Sequence, residues 1–262
     1  HGWNRRANGS PLTVGQSKSW APTGSTVSAG GALEAEMRLL PCDWRTTAAG
    51  ELKLHPEALG GRQAEIDTAV QCARGALNAI ADGAATGALM GLLITGPHGV
   101  GKTAVAEAIA DELRRNSSTC QLGERTRGVL GEGVPIWTLS VPAESLLTAR
   151  QPLALLARLR ALLERACRSA PAVLIFDDLH RVFAATSAAS ENDTVALVES
   201  FAEMLSAFAH APQRPPVFLV ATATTADRLH VALRAPGLLD WELRLSSPDR
   251  AARGRVLASL AR

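Results

Sequence analysis

The sequence predicts an α/β fold, a central parallel sheet covered by helices on both faces. Three observations carry this. From residue 51 to residue 262, short apolar segments alternate with segments of helical spacing. The apolar segments are continuous rather than alternating, as strands buried on both faces are. A Gly-rich turn then joins the first apolar segment directly to a helical one.

Taken in order, residues 1–50 read as a flexible linker rich in Gly, Ser, Thr, Ala and Pro, with at most a short helical stretch at Ala32 to Leu40. Gln63 to Ala81 has helical spacing, with Ile66, Val70, Leu77 and Ile80 on one side. Leu92 to Thr95 is a strand and Thr103 to Arg114 a helix. Residues 116–133 form a polar, Gly-rich loop, and Val134 to Val141 a second strand. Leu153 to Ala170 is a long helix. Val173 to Phe176, purely apolar, is expected to be the central strand. Thr194 to Ala209 is a helix, Val217 to Ala221 a fourth strand and Trp241 to Leu245 a fifth.

Composition excludes some functions. Charged residues are 20% and the formal net charge is +2, so a strongly basic grip on nucleic-acid phosphates is not expected. The arginines between Arg150 and Arg168 (Arg158, Arg160 and Arg165 among them) read as a solvated helix face. No apolar run approaches the ~20 residues of a membrane span. The four cysteines (Cys42, Cys72, Cys120, Cys167) form no C-x-x-C pair and suit a reduced, intracellular protein. The first residue, His1, suggests a piece of a longer protein.

Gly96-Pro97-His98-Gly99-Val100-Gly101-Lys102-Thr103 fits G-x-x-x-x-G-K-[ST], after a strand and before a helix opened by Ala104. Glycines let successive backbone N–H groups face phosphates, and the helix N-terminus adds partial positive charge there. Lys102 supplies a mobile charge for the terminal phosphates, and the Thr103 hydroxyl suits Mg²⁺. His98 reads as a solvent-facing position. The chain is therefore expected to bind ATP with Mg²⁺.

Val173-Leu174-Ile175-Phe176 then ends in Asp177-Asp178. Asp177 is placed to hold Mg²⁺ through water, and Asp178 to orient an attacking water. Asp178 is one methylene shorter than Glu, which puts its reach as a base in question. His180 beyond it reads as a helix-start or surface residue, with a catalytic role the alternative.

These residues resemble the AAA+ ATPases, whose large αβ subdomain the match implies for residues 51–262: a P-loop NTPase core, a three-layer αβα sandwich with a central parallel sheet. Val217 to Thr222 and Arg234 to Asp240 are similar to the family's second region of homology, and Leu245 to Arg253 to its Pro-Asp-Arg ending. Leu59-Gly60-Gly61 resembles the segment the family places near adenine. The family's helical lid is expected to be missing. Within the family, the chain is similar to the first ATPase domain of the peroxisome-biogenesis ATPases, through the double Asp and the spacing from Ala221-Thr222 to Leu229-His230.

That resemblance implies a hetero-oligomeric ring with peroxin six that recycles import receptors. It implies a protein substrate handled by the full ring, no nucleic acid, and membrane association only through partners. The implied location is cytoplasmic, or peripheral on the cytosolic face of the peroxisomal membrane. Departures from the family pattern imply weak hydrolysis. Ala223 stands at the usual Asn, with Thr222, Thr224 and Thr225 nearby as substitutes. Ala235 and Leu238 stand at the usual arginine fingers, beside an Arg234 that reads as a surface residue. Thr148-Ala149-Arg150-Gln151-Pro152 lacks the usual aromatic. The alternative is a fully active AAA+ ATPase of another remodelling or DNA-associated class.

Overall fold

The computed structural model describes residues 59, 61–83, 91–117, 136–149, 151–184, 191–211 and 214–260. The expected linker 1–50, Gly60, most of the 116–133 loop, Arg150, Cys42 and Cys120 lie outside them. Helix α1 (Gln63–Ala81) precedes β1 (Gly91–Thr95), α2 (Lys102–Ser117) and β2 (Trp137–Pro142). Then come α3 (Ala143–Leu147), α4 (Pro152–Arg168), β3 (Ala172–Asp177) and α5 (Glu191–Ala209). Strand β4 (Val217–Ala223), β5 (Trp241–Arg244) and α6 (Arg250–Leu260) complete the order.

The strands pair in the order β2-β3-β4-β1-β5, every pair parallel. Residues of β1 and β4 are buried throughout, as a strand covered on both faces requires. Successive side chains alternate between two cores. Leu92, Ile94, Val173, Ile175, Phe218 and Val220 pack under α1 and α2. Leu93, Leu174, Phe176, Leu219 and Ala221 pack under α4 and α5. This is the three-layer sandwich, with its layers assigned.

Two expectations need adjusting, and one helix is new. Strand β3 is interior, but β4 is the middle strand; a continuous apolar run reports burial on both faces, not position in the order. Strand β4 extends two residues past Ala221, because Thr222 and Ala223 still pair with Ile94 and Thr95. Helix α3, five residues long, is too short for a helical period to show.

The sheet's geometry positions the site. In open parallel sheets, ligands bind beyond the carboxyl ends of the strands, where the strand order switches. Here β1, β3 and β4 end side by side, bringing Gly96, Asp177 and Thr222 to one rim. Below that rim, Phe201 makes an edge-to-face contact with Phe176 and stacks on Phe183, with ring centroids 6.1 and 5.1 Å apart. Such pairs contribute about 0.5–1.5 kcal/mol each beyond area burial, and these brace the turn that follows Asp177 from beneath.

Candidate functional site

The loop from Gly96 to Thr103 leaves β1 and enters α2 with no intervening residue to spare. Gly96 is required by close approach: a Cβ there would lie 2.6 Å from the Leu245 carbonyl oxygen. Its N–H donates to Thr224 O at 3.1 Å, so the loop is clamped between β4 and β5. Gly99 and Gly101 adopt φ of 76° and 93°, which L side chains rarely take. Nothing lies within 4 Å of a Cβ added at either, so the turn is an open, concave cradle lined by backbone. Pro97 and His98 on its crest are exposed, and Val100 and Ala104 are half-buried.

Lys102 is only 7% exposed, and its Nζ donates to Gly96 O at 3.0 Å and Pro97 O at 3.1 Å. An ammonium has three donors, so one remains for a ligand in the cradle. Thr103, on the first turn of α2, donates to Asp177 Oδ1 at 2.9 Å and lies 3.0 Å from Oδ2. A hydroxyl and a carboxylate meeting beside a phosphate cradle form an oxygen donor set of the kind Mg²⁺ takes. The residues thus fit a nucleotide polyphosphate with its metal. The structure brings Gly96 through Thr103 and Asp177 to one place.

Asp178 stands in the left-handed region, at φ 53° and ψ 40°. Asp tolerates this conformation better than most residues, and it turns the chain out of the sheet into a 3-10 turn, Leu179–Arg181. Its carboxylate lies 4.0 Å from His180 Nδ1. His180 is not a surface residue: it is 7% exposed, and Nδ1 has no hydrogen-bond partner. The turn is folded onto the connection after β4, where His230 N donates to Phe183 O and Ala184 bridges Leu229. Burial lowers the imidazole pKa below its ordinary value; the Asp178 carboxylate opposes this, while Arg228, His98 and Lys102 reinforce it.

No charged side chain stands at the three positions compared with the family, Ala223 at the end of β4 and Ala235 and Leu238 beyond it. Ala223 is fully buried and packs on the α4–α5 face, and Leu238 is 3% exposed in the same core. Ala235 is half-buried. Arg234 is also half-buried, with Nη1 3.8 Å from Asp227 Oδ1, so it is less a surface residue than its neighbours suggest. Of the substitutes for Asn, Thr225 is exposed, and the Thr224 hydroxyl is buried without a partner. Thr222 Oγ1 donates to Asp177 Oδ1 at 2.6 Å and accepts from Asp178 N at 2.8 Å.

Further from the cradle, Leu59 packs against the α1–α2 core. Of the arginines of α4, Arg158 donates to Ser145 O and Thr148 Oγ1, and Arg160 pairs with Glu164. Burial raises the Cys72 thiol pKa and pushes Cys167 up to about 12. No described helix is long and apolar enough to cross a membrane.

The profile of the ATPase family associated with various cellular activities (AAA) matches residues 92–247, more than half of the chain. Nuclear valosin-containing protein-like of Mus musculus is 28% identical over 172 residues, covering 66% of this chain and 18% of that protein. An "AAA ATPase forming ring-shaped complexes" of Kocuria rhizophila is 28% identical over 166 residues, 61% of this chain and 27% of its own length. The ATP-dependent zinc metalloprotease FtsH of Heterosigma akashiwo is 27% identical over 172 residues, 66% of this chain and 23% of its own length. The chain therefore spans well under a third of these relatives.

Proposed function

The chain belongs to the AAA family of ATPases, whose members use ATP with Mg²⁺, and from that premise we propose that it is the nucleotide-holding domain of a ring-forming protein-remodelling ATPase. One observation carries the reading: Lys102, Thr103 and Asp177 converge on a backbone cradle at the carboxyl end of β1. The loop N–H groups and Lys102 would hold the phosphates, and Thr103 and Asp177 the metal. The metal, when bound, supplies neutralisation of phosphate charge. The ring is supported by the printed name of the Kocuria rhizophila relative.

Within that reading, hydrolysis by this domain is slow. Asp178 is a short base on a left-handed turn, Ala223 faces a core, and Ala235 and Leu238 offer a neighbour no positive charge. A missing arginine finger alone is worth about 10³–10⁵ in rate where one is used. The test is nucleotide affinity beside turnover. Wild type binds ATP with Mg²⁺, and Lys102→Ala weakens binding at least about 30-fold, the loss of one partner of a buried charge contact. Brisk turnover, abolished by both Lys102→Ala and Asp178→Asn, would sink the slow-site reading.

A finer reading rests on the double Asp and on Ala221-Thr222 through Leu229-His230. On it, this is the first ATPase domain of peroxin one, in a hetero-oligomeric ring with peroxin six that recycles import receptors. Its protein substrate is handled by the full ring. It is cytoplasmic or peripheral on the cytosolic face of the peroxisomal membrane, held there by partners. Mixing with peroxin six and weighing the product by light scattering, with and without ATP, tests this; no ATP-dependent mixed ring would count against it.

A further inference from the structure

We propose that Thr222 is the positioning residue of the acid pair, its hydroxyl shared between the Asp177 carboxylate and the Asp178 backbone so that Asp177 is set for Mg²⁺. This rests on the nucleotide reading above. In the parallel register Ala221 pairs with Phe176, so the next residue, Thr222, lies beside Asp177. Thr222 is fully buried, with its one hydroxyl donating to Asp177 Oδ1 at 2.6 Å and accepting from Asp178 N at 2.8 Å. A hydroxyl both donates and accepts at a single atom. Valine has the same shape and can do neither.

The geometry divides the work between two threonines. Thr103 reaches Asp177 from α2, and Thr222 reaches it from β4. Thr103 is also the hydroxyl expected to ligate the metal, whereas Thr222 has no other duty at the site. Its second bond satisfies the N–H of Asp178, the residue whose φ of 53° swings the chain out of the sheet. Thr222 therefore sets the direction of the metal carboxylate and the point at which the acid pair leaves the strand. Partners of metal-ligating carboxylates typically matter by 10–100-fold in metal affinity.

The test is binding of a fluorescent ATP analogue, with Mg²⁺ and in EDTA, by wild type, Thr222→Val and Thr222→Ser, with thermal midpoints as a folding control. Thr222→Val is expected to lose about tenfold of the Mg²⁺-dependent gain in affinity while its affinity in EDTA is unchanged. Thr222→Ser is expected to restore the gain. A full Mg²⁺ gain in Thr222→Val, equal losses with Mg²⁺ and in EDTA, or failure of Ser to restore it overturns the assignment. If the Val variant does not fold, Thr222→Cys, a weak donor, takes its place, with the same expected loss and the same overturning results. Wild type that binds the analogue in neither buffer overturns the nucleotide reading itself.

Discussion

The two halves of the rim differ in kind. At the ends of β1 and β3, polar groups are paired with one another: Lys102 with the loop carbonyls, Thr103 and Thr222 with Asp177. At the positions compared with the family, Ala223 and Leu238 are built into the hydrophobic core instead, and Ala235 packs partly against it. Ala223 and Leu238 are packed, not merely neutral. The difference separates the two tasks that the proposal assigns. Holding rests on a cradle and counter-charges close in sequence and register; the proposed slow cleavage rests on positions that this chain fills with packed side chains.

The comparison breaks most visibly at Leu238. Arginine there places a charge in a site 3% exposed, and is expected to cost about 3–5 kcal/mol, read by denaturant unfolding. Arginine at half-buried Ala235 is expected to stay within about 0.5 kcal/mol. Equal tolerance at both positions would mean that the connection is an open surface rather than core. Next in size, Asp178→Glu lengthens the reach toward the cradle and is expected to raise single-turnover hydrolysis about tenfold, less what the left-handed backbone takes back. No rise would mean that the reach of residue 178 does not limit hydrolysis.

The smallest effect comes from His180. Burial holds its pKa below the ordinary 6.5, so the unfolded chain binds the proton first as pH falls. Stability is thus full above about 6.5 and is lost as pH drops through the depressed folded value. The thermal midpoint, followed from about pH 8 to about pH 5, is expected to fall less steeply in His180→Gln than in wild type. Identical slopes would remove His180 from the account.

Local chemistry was legible in the sequence where it is local. Helix α1 runs from Gln63 to Ala81 as its spacing predicts, and the loop glycines adopt the backbone that the phosphate-binding pattern demands. What the sequence hid depends on register. Thr222 stood among three threonines as a substitute for Asn; only the alignment of β4 with β3 shows that it serves Asp177. His180 read as a helix-start or surface residue; it does lie in the first turn after Asp178, but it is buried. The fold of the following turn onto Leu229 and His230, far along the chain, buries it. Helix α4 starts at Pro152, one residue before its apolar period begins, because proline suits the first helical turn.

The clamp on Gly96 has a consequence for synthesis. Strand β1 is made first, yet both strands that flank it, β4 and β5, are made last. While the middle of the chain is still emerging from the ribosome, Leu92, Leu93 and Ile94 have no partner strand, and the loop lacks the Thr224 and Leu245 carbonyls that frame it. An unpaired apolar strand is a template for wrong pairing. Until Leu245 has been released, the nascent chain lacks both the strands that flank β1 and the carbonyls that frame the loop, and its apolar edge is open to wrong pairing.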